Sequence, residues 1–391
     1  MMKILMIVPS PFFADRGCHV RILEEVNALT KRGHRVRICT YPLGRNIDNM
    51  DICRTLPVPW YRKLTAGPSL HKFYLDALLY ITVRNCLKKE KFDIIHAHLH
   101  EGIYIADKLG LLSPPILADL QGSMTDEIQS HGFLGNRKWI LNLLLKTERR
   151  LNRIPNKIIL SSTQALELLR NKFNIEEDRM QVIPDGVNCD IFKPSESNKA
   201  IREKLRLPPD KKIVVFLGLL TKYQGMEALL QSIPKVLSTC RQSHFLLMGY
   251  PNEDQWRKRF AFHGIGPDHV TFTGRIPYEE APQYLSAGDI AVSPKLSKTE
   301  ANGKLLNYMA QALCTIVFDT EVNREILGDL GIYAEYDNPD SLAQCLIHAI
   351  QNEKESIERG LNLRTRALEY FSWDEQARKI ENCYRKILEN C

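Results

Sequence analysis

No apolar run in the 391 residues approaches the ~20 needed to cross a bilayer, so no membrane-spanning helix is expected. The ten cysteines include no C-x-x-C pair. That removes the spacing of a zinc site or a disulfide framework and leaves scattered, reduced thiols. No D-x-D pair stands at a strand end, so no metal held by such a motif is expected. A lysine-cofactor signature is missing, and no nucleic-acid recognition module is readable. The opening "MMKILMIVPSPFF" is too short an apolar run for a signal segment and has no small-residue cleavage site after it. It reads as a buried first strand.

What is present is ordinary in amount and informative in placement. Hydrophobic content of 44% and charged content of 25% fit a soluble globular protein. The length suits two domains of about 150–200 residues. Residues 1–194 hold 28 Lys and Arg against 20 Asp and Glu, while the remainder hold 25 against 26. The excess falls within the first 100 residues, with 16 basic against 8 acidic. The first half is therefore the candidate for meeting an anionic partner, such as a phospholipid surface or a lipid-phosphate acceptor.

Short β-branched runs alternate with longer amphipathic ones. Strands are expected at 3–8, 35–41, 93–98, 115–120, 157–162 and 180–184. After "IFKPSESNKA" the pattern restarts at 212–218, 244–249, 270–274, 289–294, 314–319 and 331–336. Solid apolar strands separated by helices mean parallel sheets covered on both faces. The expected fold class is α/β, with two doubly wound Rossmann-like domains over 1–192 and 193–372. A helix over 373–391 is free to pack back on the first domain. Val20, Leu23, Val26 and Leu29 mark one face of the first helix, which Gly33 ends.

In doubly wound domains ligands bind beyond the carboxyl ends of the strands. Gly17 opens a helix after the first strand, where backbone N–H groups can approach a phosphate; a plain turn explains it equally well. Several strand-end loops of the second half pair glycine with a cation. They carry Gly218 and Lys222, then Arg275, then Asn302, Gly303 and Lys304. Such a set suits a nucleoside diphosphate. Asp119 ends a strand, to orient a hydroxyl or to cap the next turn. His96, His98 and His100 alternate at strand spacing and read as polar residues at a strand's carboxyl end. Two segments, 58–76 and 137–153, mix aromatic or apolar residues with basic ones. In the second, Ile140, Leu143, Leu144 and Leu151 share a face bordered by Lys146, Arg149, Arg150 and Arg153, with Glu148 the one acid. The pattern suits a membrane surface or a core-facing helix with a solvated basic side.

Taken together, "RGCHVRILEEVNALTKRGHRVRICTY", "DIIHAHLHEG", "VIPDGVNCDIFKP", "VTFTGRIPYEEAPQYLSAGDIAVSP", "GKLLNYMAQALCTIVFDT" and "FSWDEQARKIENCYRKIL" resemble a family-4 glycosyltransferase of the GT-B fold over essentially the whole chain. The resemblance implies two Rossmann-like domains facing a cleft, with the last helix crossing back. It implies retaining transfer of a sugar from a nucleotide-diphosphate sugar to an acceptor hydroxyl, without a metal or other cofactor. The setting is glycolipid, polysaccharide or glycoconjugate assembly. The acceptor would be a sugar, a lipid-linked sugar or a polysaccharide, met in the cytoplasm at the inner face of the membrane. No nucleic-acid partner is expected.

This chain departs from the family pattern in several places. Leu219 and Gln224 occupy the positions of the family's diphosphate-binding Arg and Lys. Asn307 stands where a ribose-binding carboxylate is usual, Glu300 lies one residue closer than usual, and Gln121 falls at a family His. The catalytic candidates are thus Asp119, Gln121 and Glu300. The nucleotide-sugar candidates are Gly17, Gly218, Lys222, Gln224, Arg275, Asn302, Gly303, Lys304, Leu305 and Asn307. An Asn amide can still bond ribose hydroxyls and a Gln a sugar hydroxyl. The same departures leave a second reading open, an inactive GT-B protein that binds sugar or a partner.

Overall fold

Each of the twelve apolar runs folds as a strand with ends within two residues of those expected. The computed structural model describes residues 1–391 except 15–16, 63–70, 121, 126–137, 196, 299–301 and 391. Two units emerge, Met1–Pro184 with Trp373–Cys391, and Asp185–Ser372.

The first unit is built on β1 (Lys3–Val8), β2 (Arg35–Thr40), β3 (Asp51–Arg54), β4 (Ile94–His98), β5 (Ile116–Leu120), β6 (Lys157–Leu160) and β7 (Met180–Val182). Their order is β3-β2-β1-β4-β5-β6-β7, and all pairs are parallel. Strand β3 was not expected. Its four residues, DICR, show no apolar run, and as an edge strand it needs none. It registers on β2 by placing Asp51 against Arg37, whose Nε donates to Asp51 Oδ2 at 2.8 Å.

The helix Gly17–Lys31 buries Leu23, Val26 and Leu29 as expected, while Val20 is half-buried. It also buries Arg21, Glu24, Glu25 and Ala28. A single apolar face was too narrow a reading, because the helix is covered on a second side by Trp373–Glu389. There Arg32 Nε donates to Glu381 Oε2 at 2.9 Å, and Tyr384 Oη lies 2.7 Å from His96 Nδ1. Asp374 and Glu375 sit in the first turn of that closing helix, where the positive end of its dipole favours them. On the other face of the sheet, Leu75, Leu79 and Val83 of the helix His71–Lys89 are fully buried, each worth roughly 1.5–3 kcal/mol.

The second unit holds β8 (Lys212–Leu217), β9 (Ser243–Met248), β10 (Val270–Gly274), β11 (Ile290–Ser293), β12 (Cys314–Phe318) and β13 (Ile332–Ala334). The order is β10-β9-β8-β11-β12-β13, again parallel. In both sheets the chain reverses its direction of winding once, between β1 and β4 and between β8 and β11. A crevice opens there at the strand carboxyl ends.

Candidate functional site

At the switch point of the first sheet, the pleat turns His96, His98 and Asp119 to one face, since His98 is the register partner of Asp119. All three are buried. Arg21 comes from the first helix and is 2% exposed. Its Nε lies 2.8 Å from Asp119 Oδ2 and 3.0 Å from Glu25 Oε1, and its NH2 donates to Ile183 O at 3.2 Å. His98 Nδ1 lies 3.4 Å from Asp119 Oδ2 and its Nε2 lies 3.9 Å from Glu25 Oε2. The His96 and His98 rings stack at 4.5 Å. A small hollow opens here, lined by Val8, Ser10, Cys18, Leu99, His98 and Asp119.

Burial pushes the Asp119 carboxyl up, but Arg21 and then His98 more than offset it and hold it well below the usual carboxylate range. Asp119 is therefore an anion locked to a cation, suited to orienting a group and not to donating a proton. Burial, and then His98, drives His96 far down, so its imidazole stays neutral. The first-strand loop is pinned by His19, which accepts from Ala14 N at 2.9 Å and pairs with Ser10 Oγ at 3.0 Å.

His100 does not continue the alternation. The strand ends at His98, Leu99 takes a left-handed φ of 60°, and His100 enters the helix Leu99–Lys108, where its Nε2 lies 3.6 Å from Glu148 Oε1. Glu148, the single acid of the helix Lys138–Leu151, is fully buried. It accepts from the backbone of Met124 at 3.0 Å and of Thr125 at 2.9 Å, fixing the chain just beyond Asp119. Gln121 lies outside the described residues, as does Glu300.

At the switch point of the second sheet three expected residues meet. Lys304 begins the helix Lys304–Ala310, but its side chain runs back to the loop after β8. Its Nζ donates to Gln224 Oε1 at 2.6 Å and lies 4.7 Å from the centre of the Phe216 ring. Gly218, with φ of 152°, makes room for it, since a Cβ there would sit 2.7 Å from that Nζ. The ammonium thus stands beside Gln224, the very position where the family pattern has lysine. Gly225 must be glycine for a separate reason. Its φ is 80°, and a Cβ would lie 1.8 Å from Pro294 O, so the β8 and β11 loops touch backbone to backbone.

The other candidates are placed differently. Lys222 is exposed. Arg275, also exposed, stacks over Tyr250 at 5.2 Å. Asn302 is buried, its Nδ2 3.0 Å from Ser293 Oγ and 3.3 Å from Asn323 Oδ1. Leu305 is a core residue whose N–H already bonds Asn302 O at 2.9 Å. Gly303 packs on Asp185, whose Oδ2 would lie 2.8 Å from an added Cβ. Asn307 is half-buried. Gly17 opens the first helix, in the other unit. Sequence reasoning missed Arg21 and Glu25, hidden inside an apparently amphipathic helix. It also missed Lys295, 5% exposed beside Pro294, and Tyr308, whose Oη accepts the Leu217 N–H at 2.7 Å.

Comparison with known proteins agrees with this architecture. Residues 16–191 match the model "Glycosyltransferase Family 4" and residues 211–352 match "Glycosyl transferases group 1". The chain is 24% identical over 404 aligned residues to a phosphatidyl-myo-inositol mannosyltransferase of Mycobacterium tuberculosis, covering 99% of this chain and 97% of that protein. It is 26% identical over 316 residues to the GPI3 subunit of a phosphatidylinositol N-acetylglucosaminyltransferase of Saccharomyces cerevisiae. That match covers 78% of this chain and 66% of the subunit, just under two thirds of its length. Among solved structures, sucrose-phosphate synthase from Thermosynechococcus elongatus superposes with a TM-score of 0.83 at 20% identity over the whole of both chains. HepE of Anabaena, in complex with UDP-glucose, does so at 0.78 and 15% over 99% of this chain and 100% of that one. At those identities the structures speak for the fold alone. With both units matched by its models, the chain belongs to the family-4 glycosyltransferases and is a glycosyltransferase of the GT-B fold.

Proposed function

We propose that this glycosyltransferase takes a sugar from a nucleotide-diphosphate donor held by the second unit and passes it, with retention, to a hydroxyl of a lipid-linked acceptor held by the first. The carrying observation is the Lys304 ammonium against Gln224 and Gly218. A cation delivered from another element stands in for the lysine that the β8 loop lacks. Aimed at the leaving diphosphate, such preorganised charge stabilises the negative charge that develops in the transition state. Lys304 and backbone N–H groups carry this load in place of a divalent cation, and retention follows the family resemblance. In the first unit, the ionised Asp119, clamped by Arg21, orients a hydroxyl at the edge of the hollow.

A lipid-linked acceptor is supported by the names of both curated relatives, which act on phosphatidylinositol-type lipids. It is also supported by an exposed apolar surface. Trp139 is 69% and Leu143 57% exposed, beside the exposed Lys146 and Arg149. Of the stripe expected on that helix, Leu151 is buried and Ile140 and Leu144 half-buried, so its apolar face is wider than the core requires. Such a face suits the cytoplasmic surface of a membrane.

Thermal unfolding against UDP-, GDP-, ADP- and CMP-sugars tests the donor half. A ligand at ~100 times its Kd adds about 2.7 kcal/mol of stability. Turnover of the stabilising donor with phosphatidylinositol-type acceptors, its rate unchanged by added Mg²⁺ or Mn²⁺ after chelation, tests the rest. Stabilisation by none of these donors would sink the proposal.

A further inference from the structure

The cysteines looked scattered in the sequence, yet three of them converge. Cys39 of β2 and Cys53 of β3 are register partners on adjacent strands. Cys86 reaches them from the helix His71–Lys89. Cys86 Sγ lies 3.6 Å from Cys53 Sγ and 3.8 Å from Cys39 Sγ, and all three sulfurs fall within 4.8 Å of one another. Cys39 is fully buried and Cys86 8% exposed, while Cys53 is partly open to solvent. Neither the acceptor-side hollow nor the Lys304 pocket includes them.

We infer that Cys39, Cys53 and Cys86 form a binding site for one thiophilic d¹⁰ cation, Zn²⁺ or Cu⁺, that staples the edge strand β3 to β2 and to the helix behind it. Spacing carries the argument first. Metal–thiolate bonds of about 2.3 Å in tetrahedral geometry set sulfurs about 3.8 Å apart, close to the 3.6 and 3.8 Å from Cys86 Sγ to the other two. Ligand type carries it next. Among the described residues no imidazole or carboxylate joins the three sulfurs, and an all-sulfur set selects soft cations over Mg²⁺ or Ca²⁺. The partly exposed Cys53 supplies both an entry path and an open side for water as a fourth ligand. All three sulfurs bind as thiolates, any remaining thiol protons passing to solvent, which leaves a net charge of −1 around a divalent cation. Arg37 and Lys89 both act electrostatically on Cys53 and face that charge. The need is equally local, because β3 is four residues long and pairs with β2 alone.

The test uses the full chain, reduced and stripped of metal. Titration with Co²⁺, as a spectroscopic stand-in for zinc, is expected to give one equivalent of binding with a thiolate-to-cobalt charge-transfer band. Cys53→Ser, at the partly exposed position, should abolish the band and weaken binding by more than about 100-fold, since losing an outer-shell partner alone costs roughly 10–100-fold. A readout without variants is alkylation of the native protein. Zn²⁺ or Cu⁺ should shield Cys53 while leaving the partly exposed Cys18 and Cys345 as reactive as before, and native mass spectrometry then reports which of the two ions is retained. The inference fails if no band appears, if the band survives Cys53→Ser, if Mg²⁺ competes at equal concentration, or if the thiols pair as a disulfide and take up no metal.

Discussion

Replacing Lys304 by methionine keeps a hydrocarbon stem against Phe216 and removes the charge and its hydrogen bond to Gln224. The ammonium is half-buried, bonded to Gln224 Oε1 at 2.6 Å, and seated over Gly218, which has no side chain to displace it. A hydrogen bond from such a cation to a phosphate is worth roughly 1.5–3 kcal/mol, which is about 10–150-fold in Kd. Lys222 lies in the same loop region but is exposed, and a solvated charge of that kind is worth about 0–1 kcal/mol. Calorimetric titration with UDP and GDP should therefore show Lys304→Met losing at least about ten-fold in affinity and Lys222→Met less than about five-fold. The free protein should be nearly as stable in both cases, because Lys304→Met removes a desolvated charge along with its hydrogen bond. Equal losses, or a larger loss at Lys222, would remove Lys304 from the diphosphate site and with it the reading of the β8 loop.

Three further outcomes are expected. His96 is held far below its ordinary pKa by burial, and burial pushes His244 down to about 4. As pH falls below about 6.5 the unfolded chain takes up protons that the folded one refuses, so both lower stability, His244 by about 1.5 kcal/mol between pH 6.5 and 5; a urea midpoint that stays flat over that range would contradict this. Tyr384→Phe strands the buried His96 Nδ1 and should lower the unfolding free energy by about 1–3 kcal/mol in urea, against no change if the closing helix were loosely held. Co-sedimentation with anionic vesicles should exceed that with neutral ones, weaken with salt, and fall in Trp139→Ala/Leu143→Ala, since each basic residue near the surface contributes about 1 kcal/mol; binding indifferent to lipid charge would argue for a soluble acceptor.

Strands such as "KIVVFLG" were legible because a strand buried on both faces must be apolar throughout, a pattern that turns and helix surfaces do not imitate. DICR was not legible, since an edge strand held by Arg37 and Asp51 leaves no such trace. The glycine- and lysine-bearing loops of the second unit were readable from their place after strands. That Lys304 reaches back to Gln224 was not, because the two are 80 positions apart in the chain and only the β8–β11 adjacency brings them together. Arg21 and Glu25 were hidden for a related reason. Charged residues in a surface helix ordinarily face water, whereas Arg21 turns onto Asp119 and the Ile183 carbonyl and Glu25 lies near His98, partners far away in the chain. The cysteine triad has no short spacing to notice, because a strand pair and a helix assemble it.

The closing helix also bears on the order in which the molecule is made. The sheet it completes is translated first, yet all of Asp185–Ser372 must be synthesised before Glu381 can meet Arg32 and Tyr384 can meet His96. At about 5–20 residues per second, that delay is roughly 10–40 s. Throughout it, Arg32 lacks its Glu381 carboxylate and His96 has no phenol to pair with. The first half of the chain is thus made early and finished last, because its unit closes only with the C-terminal segment.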